Sequence, residues 1–570
     1  MASANRLITD YLDIWSSAVK RKSSAGRGNS KRIELYGIKK LRHLIMELAV
    51  RGLLVKQDPE AESASGLVEN IKAEKAKLIK EGRIKKEKPA VETDKKDTPF
   101  ELPNGWIWQR ITDVFYPISV SKNKVKTSEL SSEGAYPVVD QGQTFIAGYV
   151  NDGDLLNTLP GPVIVFGDHT SALKYIDFDF VAGADGVKIL RPLCMNEKYF
   201  FLVCKTLPIE SRGYGRHYSR LIDNFFPLPP LTEQHRIVAK VDALMKICDS
   251  LEENSEANIT NHKTLVHSLL NTLINAADNS TVNKAWSCIA KNFNTLFTTE
   301  RSVEQLKQTI LQLAVTGRLV PQISSDLPAI DFLRNIETEK SRLVKTGRIK
   351  KEKISQQPEF DKELSPIPAN WTVTRLKAIS TIGTGATPSR DQNDYYFPAI
   401  HNWVTSGETA LPFIHETKEK ISEKAIRETN ATVYPAGTLI VAMYGQGKTR
   451  GQITELLIPA ATNQACAAIQ LFEPSPEHRA YIKLFIQKSY EELRSLAEGG
   501  AQPNLNIGKL ANTLIPIPPL AEQRRIVAKV DELMSMCECL KASLCDLHTI
   551  QLQLADAIAD KALEKNNGAL

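Results

Sequence analysis

The stretch Ala442–Thr449, AMYGQGKT, places a lysine and a threonine where a nucleotide-phosphate loop would have them. It lacks only the first glycine of the pattern G-x-x-x-x-G-K-[ST], and the apolar run before it predicts a strand. Such a loop must open a helix, because the first N–H groups of that helix hold the phosphates. Here Ile453, Leu456, Leu457 and Ile458 are followed by Pro459, which predicts a second strand and a turn. No strand ending in aspartate is evident after it, so the sequence disfavours nucleotide hydrolysis.

Other catalytic patterns are not found. The glycine-rich Gly383–Ser389 runs into a proline rather than a helix, and H-E-x-x-H, G-x-S-x-G and the N-P-P-[YF] of adenine methyltransferases are all absent. Glu416–Lys418 could be half of an acid-acid-lysine nuclease site, but its acidic partner cannot be placed. The eight cysteines form no C-x-x-C, and Cys537 and Cys539 have no second pair at metal-ligand spacing. We therefore predict no catalytic residue, no metal and no cofactor on this chain.

Polar loops follow strand-like runs at matching places in two halves of the chain. The glycine-led runs Gly161–Gly167 and Gly437–Gly445 each lead into one loop, and further loops lie earlier and later in each half. Such loops can read base edges, with arginine or lysine on guanine, glutamine or asparagine on adenine and aspartate on cytosine. Each residue could instead be an ordinary surface group. We predict DNA contacts from Gln141, Gln143, Asp168, His169, Tyr214, Arg216, His217, Tyr218, Asn402, Trp403, Tyr444, Gln446, Lys448, Arg450, Gln502 and Asn504.

Strongly similar blocks frame both loop-bearing interiors. Ile71–Lys88 returns as Ile336–Lys353 with 12 of 18 residues identical, and both blocks predict a helix with a basic tail. LPNGW, ending at Trp106, returns as IPANW, ending at Trp371, at the same offset of 265 residues. The interiors themselves align only at scattered proline and glycine positions. Similar framing blocks around dissimilar interiors are expected when both sets of blocks bind copies of the same partner. Gene duplication followed by sequence divergence is a simpler alternative.

A heptad pattern begins in the last framing block, where LPPLTEQHRIVAKVDALM returns as IPPLAEQRRIVAKVDELM, 289 residues later. Apolar residues recur at spacings of four and three in both copies, which predicts two long helices, each with one apolar stripe. The stripes could pair as an antiparallel coiled coil, or each could pack on its own domain. A helix of about 35 residues is about 50 Å long, enough to set a spacing. The predicted interface residues are Ile237, Val241, Leu244, Leu251, Ile526, Val530, Leu533 and Leu540.

The composition is that of a globular protein. The chain of 570 residues is 42% apolar and 24% charged, and no apolar run approaches the roughly 18 residues of a membrane span. Because the N-terminus shows no apolar core of a secretion signal, we predict a cytoplasmic protein without a membrane partner. The net charge of +6 is compatible with nucleic acid but too small to indicate it alone.

The twofold PPLxEQxRIVAKVDxLM motif, each copy closing a variable interior, resembles the specificity (S) subunit of type I restriction-modification enzymes. The GxxTPS at Gly383–Ser389, the ATNQ at Ala461–Gln464 and the AMYGQGKTRGQ stretch also look like the target-recognition domains of that family. The likeness begins at about Ile33. The first interior departs from the pattern, having YPISVSKNK at Tyr116–Lys124 in place of GxxTPS. The two halves are therefore expected to read different sequences.

The resemblance implies a DNA reader that is not itself an enzyme. Two target-recognition domains would each bind one half of a split site in double-stranded DNA, and the two helices conserved in the family would hold them apart. Family members assemble with two modification (M) subunits, which bind S-adenosylmethionine and methylate adenine. They also assemble with restriction (R) subunits, which use ATP and Mg²⁺ to translocate and cut DNA. A duplicated coiled-coil scaffold without DNA contact is the alternative.

The predicted fold class is α/β, with two globular mixed α/β target-recognition domains joined by two long helices in an antiparallel coiled coil, and with a pseudo-twofold internal repeat. The predicted segments are an N-terminal helical frame and linker (1–100), the first target-recognition domain (101–228), a central helix with linker and second frame (229–365), the second target-recognition domain (366–517) and a C-terminal helix (518–570).

Overall fold

The chain divides into two compact units in a computed structural model. Unit 1 comprises Met1–Thr260 and Asp546–Leu570, and unit 2 comprises Asn261–Cys545. Both divisions fall inside long helices, Leu231–Asn275 and Leu520–Glu564. The structure describes residues 6, 8–21, 33–58, 62–84, 98–119, 124–183, 186–209, 215–276, 279–349, 367–444, 451–497 and 505–564.

Unit 1 starts with helices and continues into a sheet-rich interior. Its elements in chain order are α1 (Leu12–Ser17), β1 (Lys20–Arg21), β2 (Ile33–Glu34), α2 (Tyr36–Val50), α3 (Ser65–Lys80), β3 (Ile107–Arg110), β4 (Phe115–Ile118), β5 (Lys124–Val125), β6 (Tyr136–Val139), β7 (Gly148–Val150), β8 (Val163–Gly167), β9 (Leu173–Ile176), β10 (Val181–Gly183), β11 (Val187–Pro192), α4 (Glu197–Thr206), α5 (Tyr218–Ile222), β12 (Phe225–Leu228) and α6 (Leu231–Asn275), whose last turns belong to unit 2.

Unit 2 also starts with helices and continues into a sheet-rich interior. Its elements are α7 (Asn279–Lys291), α8 (Phe293–Leu296), α9 (Glu300–Val315), α10 (Ala329–Lys345), β13 (Thr372–Arg375), α11 (Leu376–Ile379), β14 (Ser380–Thr384), β15 (His401–Val404), β16 (Phe413–Ile414), β17 (Glu419–Ile421), α12 (Glu423–Glu428), β18 (Leu439–Ala442), β19 (Ile453–Leu456), β20 (Ala461–Thr462), β21 (Cys466–Leu471), α13 (Pro476–Ala497), α14 (Ile507–Ala511), β22 (Leu514–Ile517) and α15 (Leu520–Glu564), whose last turns belong to unit 1.

The two interiors share one sheet topology although their sequences do not align. One sheet has the order β4-β11-β8-β9 in unit 1 and β14-β21-β18-β19-β16 in unit 2. A second sheet contains β6 in parallel with β10, or β15 in parallel with β20. The first and last strands of each interior pair antiparallel, β3 with β12 and β13 with β22. The predicted mixed α/β repeat is thus confirmed at the level of strand order.

The fold rejects the phosphate-loop hypothesis for the lysine-bearing stretch. All four residues of β18 and all four of β19 are buried, and the two strands pair antiparallel. From Gly451 onward the chain enters β19, a strand of the same sheet, and not a helix. Phosphate binding of the predicted kind requires a helix that continues from the lysine and threonine, and the described residues after them form a strand.

The helices α2 and α9, which we call the framing helices, each bury one apolar stripe. In α2 the residues Leu41, Leu44 and Leu48 are buried at spacings of three and four, and Leu306 and Leu313 of α9 are buried in the same way. Such spacing places side chains on one face of a helix, and that face packs into the core of its own unit. The helices predicted from the blocks Ile71–Lys88 and Ile336–Lys353 are present as α3 and α10.

The long helices contribute opposite ends to each unit. In unit 1 the hydrophobic cluster contains Ile237 and Val241 from the first half of α6, together with Ile558 from the last turns of α15. In unit 2 it contains Ile526 from the start of α15 and Leu270 from the end of α6. This reciprocal arrangement is the antiparallel one predicted. No helix in the described ranges has an apolar stretch long enough to cross a membrane.

The predicted stripe also packs against the framing helices of its own unit. Arg42 of α2 donates to Asp249 at 2.7 Å and to Glu252 at 2.8 Å, both on α6. Tyr36, also on α2, donates to Asp556 of α15 at 2.7 Å. The apolar stripes therefore take part both in the contact between the long helices and in packing within each unit, because α2 contacts both long helices. The other predicted interface residues are also buried or partly buried. The unit 1 cluster contains Val241, Leu244 and Leu251, and the unit 2 cluster contains Ile526, Val530, Leu533 and Leu540.

Candidate nucleic-acid interface

Asp168, directly after β8, lies at the centre of a loop cluster in unit 1. Its backbone N–H donates to the carbonyl of Gly186 at 2.7 Å. Its own carbonyl accepts from the backbone N–H of His217 at 2.7 Å, and its Oδ1 accepts from the backbone N–H of Tyr218 at 2.9 Å. These bonds join the ends of three segments that are far apart in sequence. The structure thus brings together loops that the sequence could place only one by one.

Burial corrects the prediction for two of these residues. Asp168 is 6% exposed and His217 is 2% exposed, and His217 Nδ1 lies 3.0 Å from the carbonyl of Asp168. A side chain that is enclosed and already hydrogen-bonded inside the domain cannot reach a base edge. Asp168 and His217 hold the loops in position, in place of the base contacts that we predicted.

Gln141 and Gln143 lie on the turn after β6, beside this centre. The Gln141 backbone carbonyl accepts from the Thr170 hydroxyl, and its Oε1 accepts from the backbone N–H of His169 at 3.3 Å. Gly186 has a φ of +90°, and a Cβ there would come within 2.3 Å of Gln141 Oε1. Because its oxygen is engaged, the Gln141 amide is left to donate through its nitrogen. Such a group suits an acceptor such as N7 or O6 of guanine.

A buried ion pair that the sequence analysis missed supports the same turn. Lys174 of β9 is 4% exposed, and its Nζ donates to the Asp140 carbonyl at 2.9 Å and to Asp140 Oδ1 at 3.3 Å. Burial lowers the pKa of Lys174, and the hydrogen bond and charge of Asp140 oppose that effect. Asp140 Oδ1 also accepts from the backbone N–H of Gly142 at 2.9 Å. The only sequence signal was a lysine at an inward position of an otherwise apolar strand.

The other predicted residues of unit 1 lie around this cluster. Gln143 and Arg216 are exposed, whereas His169 and Tyr218 are partly buried. Lys188 Nζ lies 5.3 Å from the centre of the Tyr218 ring. Tyr214 lies outside the described residues. Gln143 and Arg216 therefore have the accessibility that a base contact needs.

The corresponding loops of unit 2 also meet. The backbone N–H of Asn463, after β20, donates to the carbonyl of Val404 at the end of β15 at 3.0 Å. Thr384, at the end of β14, donates through Oγ1 to the Cys466 carbonyl at 3.0 Å. A Cβ on Gly385 would come within 1.6 Å of the Thr462 carbonyl oxygen, so this close approach requires a glycine. The GxxTPS and ATNQ stretches are thus packed against each other.

Trp403 is a second correction, because its side chain is only 1% exposed. Its Nε1 donates to the carbonyl of Ala386 at 3.1 Å, and Tyr396 packs edge-on against its ring at 6.3 Å. The indole therefore anchors the GxxTPS segment and is enclosed within the domain. Asn402 is partly buried and donates to the Pro459 carbonyl at 3.2 Å, whereas Tyr444 is 44% exposed. Five predicted residues of unit 2 lie outside the described residues: Gln446, Lys448, Arg450, Gln502 and Asn504.

Comparison with known proteins gives this arrangement a family. A family model described as the type I restriction modification DNA specificity domain matches residues 103–261 and 368–544. The chain belongs to this family of specificity subunits. The EcoAI specificity subunit of Escherichia coli is 34% identical over 98% of this chain and 100% of its own length, and the EcoEI specificity subunit of Escherichia coli is 32% identical over 98% and 100%.

A solved HsdS subunit from Thermoanaerobacter tengcongensis is 18% identical, with a TM-score of 0.38, and the match covers 83% of this chain and 99% of that one. Each matched range of the family model contains one interior and the first part of the long helix that follows it. The repeated unit of this specificity subunit is therefore a recognition domain together with its helix. Specificity subunits are the non-catalytic, DNA-recognition components of type I enzymes.

Proposed function

We propose that each target-recognition domain of this specificity subunit reads one half of a bipartite DNA site. The observation that supports this is the twofold loop cluster, which forms at the ends of equivalent strands but carries different residues in the two domains. In unit 1 it presents Gln141 and Gln143, and in unit 2 it presents Tyr444 after β18. A shared scaffold with different reading residues suits two unlike half-sites.

We further propose that α6 and α15 set the spacing between the half-sites. Each helix contains 45 residues, and at about 1.5 Å per residue that is about 67 Å. The centres of two half-sites one DNA turn apart are separated by about 34 Å. The helices are thus long enough for this purpose.

The partners that fit this role are double-stranded DNA, two modification subunits and restriction subunits. Because α3 and α10 overlap the framing blocks Ile71–Lys88 and Ile336–Lys353, which share 12 of 18 residues, they would present two equivalent docking surfaces, which supports two copies of one partner. S-adenosylmethionine would then bind to the modification subunits, and ATP and Mg²⁺ to the restriction subunits, while this chain binds no cofactor. The proposed location is the cytoplasm.

A map of N6-methyladenine across the genome tests this function. The map is compared between cells with the gene intact and cells with it deleted, with the modification-subunit genes intact in both. We expect a bipartite motif with a fixed unspecified gap that is methylated only when the gene is present. If the motif persists after deletion, another protein reads it and the proposed function is wrong.

Binding of duplex DNA by the purified complex separates a DNA reader from a scaffold. Phosphate contacts release counterions, so the affinity of a DNA reader falls steeply as the salt concentration rises. We expect this salt dependence together with a preference for duplexes that contain the bipartite motif identified in the methylation map. A scaffold without DNA contact would show neither.

A further inference from the structure

A buried carboxylate joins three segments of unit 1. Glu233, in the first turn of α6, is 2% exposed. Its Oε2 accepts from Trp106 Nε1 at 3.0 Å, and its Oε1 accepts from Gln57 Nε2 at 2.7 Å. Gln57 follows the framing helix α2, and Trp106 immediately precedes β3 of the recognition domain. The frame, the recognition domain and the long helix thus meet at one side chain, and we name these three residues the glutamate junction.

Unit 2 contains the same junction. Glu522 of α15 is 0% exposed, and its Oε1 accepts from Gln322 Nε2 at 2.6 Å. Trp371 Nε1 and Glu522 Oε2 are the counterparts of the two atoms that bond in unit 1. Within the described part of the chain both atoms are buried and fall short of hydrogen-bond geometry with any partner. The Trp371 indole nevertheless acts on Glu522 as a donor, which lowers the pKa of that carboxyl against the effect of burial.

The surrounding residues hold each indole in place. Gly52 has a φ of +68°, and a Cβ there would come within 2.5 Å of Pro103 and 3.0 Å of the Trp106 ring. Gly317 has a φ of +71° and stands in the same relation to Pro368 and Trp371.

A tyrosine packs edge-on against each indole from the recognition domain. The ring centroids are 6.5 Å apart for Trp106 with Tyr199 and 6.3 Å apart for Trp371 with Tyr481. Each tyrosine hydroxyl donates to a proline carbonyl of the last strand, at 3.0 Å for Tyr199 and 2.7 Å for Tyr481.

The glutamine after each glutamate extends the junction to another helix of the domain. Gln234 Oε1 accepts from the backbone N–H of Asn196, which caps α4, at 2.9 Å. Gln523 Oε1 lies 3.0 Å from His478 Nδ1 in α13. The Glu-Gln pair of the PPLxEQ motif therefore fastens the long helix to the frame on one side and to the recognition domain on the other.

A buried carboxylate is an expensive way to join segments, because desolvation disfavours the charged form. Burial raises the pKa of both Glu233 and Glu522, against the opposing effect of their hydrogen bonds. An apolar contact would hold the segments together without this cost. Directional bonds to a carboxylate fix an angle, which an apolar contact does not.

We propose that Glu233 and Glu522 are positioning residues that fix the angle between each long helix and the recognition domain beside it. Through that angle they define the gap between the half-sites, so the inference rests on the function proposed above. A tilt of about 5° would move the far end of a helix about 67 Å long by about 6 Å. This displacement is close to two base-pair steps of about 3.4 Å each.

The test uses the complete complex in cells carrying Glu233→Gln or Glu522→Gln. Glutamine has one acceptor oxygen, so its amide N–H₂ must face one of the two donors and the junction loosens. We expect methylation at the same half-sites, with additional sites whose gap is longer or shorter by about one to two base pairs, the displacement that a tilt of about 5° would produce. Glu253→Gln, which changes an exposed glutamate on α6, should leave the gap unchanged.

Trp106→Phe is the second variant, because it removes one donor while keeping an aromatic ring in the core. Like Glu233→Gln, it should widen the range of gap lengths that are methylated, and it provides the test even if Glu233→Gln does not yield folded protein. The proposal is overturned if the gap stays fixed in both variants, or if methylation disappears while the complex still assembles. A wild-type map with no bipartite motif would contradict the proposed function itself, which distinguishes the two failures.

Discussion

At the scale of single residues, burial separates the polar side chains that build the recognition loops from those that can read DNA. Asp168, His217 and Trp403 are enclosed and bonded within their domains. Gln143 and Arg216 are exposed beside the same loops. Residue type alone suggested base contact for all five, whereas access supports it only for the last two.

Arg216→Ala should weaken recognition of one half-site only. A well-placed base contact by arginine contributes about 1–3 kcal/mol, which is roughly 5-fold to 150-fold in affinity. The measurement is the affinity of the complex for duplexes in which each half-site is altered in turn. A loss that is equal for changes in both half-sites would show that Arg216 contacts phosphate and carries no sequence information.

Replacing Lys448 and Arg450 by alanine should weaken recognition of the other half-site. These residues lie outside the described part of the chain, and the prediction follows from their place in the loop after β18. The same duplex series measures the effect, and Arg216→Ala serves as the reciprocal control. Equal losses on both halves would refute the assignment of this loop.

His478 should make unit 2 sensitive to acid. It is 0% exposed, and burial lowers its pKa below the ordinary value of 6.5. The folded state therefore holds a neutral imidazole, while the unfolded chain takes up a proton below about pH 6.5. The stability that depends on His478 is present above that pH and is lost as the pH falls toward the depressed folded pKa.

Thermal unfolding at pH 7.5 and at pH 5.5 measures this effect. We expect acidification to lower the unfolding temperature of the wild type more than that of His478→Gln, whose side chain does not titrate. His415→Gln is the matched control, because His415 is exposed. The same acid response in wild type and His478→Gln would contradict the prediction.

At the scale of elements, the framing helices and the N-terminal segment form one core in unit 1. The residues before Ile33 gave no signal in the sequence, yet Trp15 of α1 is 0% exposed in the same cluster as α2. A Cβ on Gly37 of α2 would come within 2.3 Å of the Trp15 carbonyl oxygen, and the Gly37 N–H donates to Ala18 at 2.8 Å. The segment is therefore packed onto α2 as part of the domain.

Trp15→Ala should destabilise the protein by about 3–5 kcal/mol, the range found when a large buried aromatic side chain is removed. The measurement is the free energy of unfolding of the transition assigned to unit 1. Trp286→Ala is the control, because Trp286 lies in unit 2 and is 36% exposed, so its loss should leave the unit 1 transition nearly unchanged. Equal effects would mean that α1 contributes no packing.

At the scale of the whole molecule, the chain contains the same framing elements twice, around two interiors that differ in sequence. The same strand order, the same parallel pair and the same closing antiparallel pair occur in both recognition domains. The framing helices and glutamate junctions also occur twice. Each interior is therefore a separate recognition domain that is bounded by equivalent contacts to its framing helices and its long helix.

Exchange of residues 107–228 for the equivalent interior of a relative should change one half of the methylated motif and leave the other half and the gap unchanged. Both ends of the exchanged piece lie in the β3–β12 pair, so the glutamate junction stays intact. Methylation maps of cells with the chimaera measure the outcome. A change in both half-sites would show that the interiors do not read independently.

The sequence by itself determined the repeat, the helices and the position of the loops. Helix stripes and buried strands depend on spacings of two to four residues, which a sequence displays directly. The framing helices, the long helices and the strands β8 and β18 were all predictable for this reason.

Only the tertiary structure decided which polar groups face inward and which segments meet. Glu233 is 127 residues from Trp106 and 176 residues from Gln57, and Lys174 is 34 residues from Asp140. Hydrogen bonds between such distant residues depend on how the strands and helices assemble. The frames can be recognised in the sequence as repeated segments. The contact that they form, in which one carboxylate joins three segments, exists only once the chain has folded.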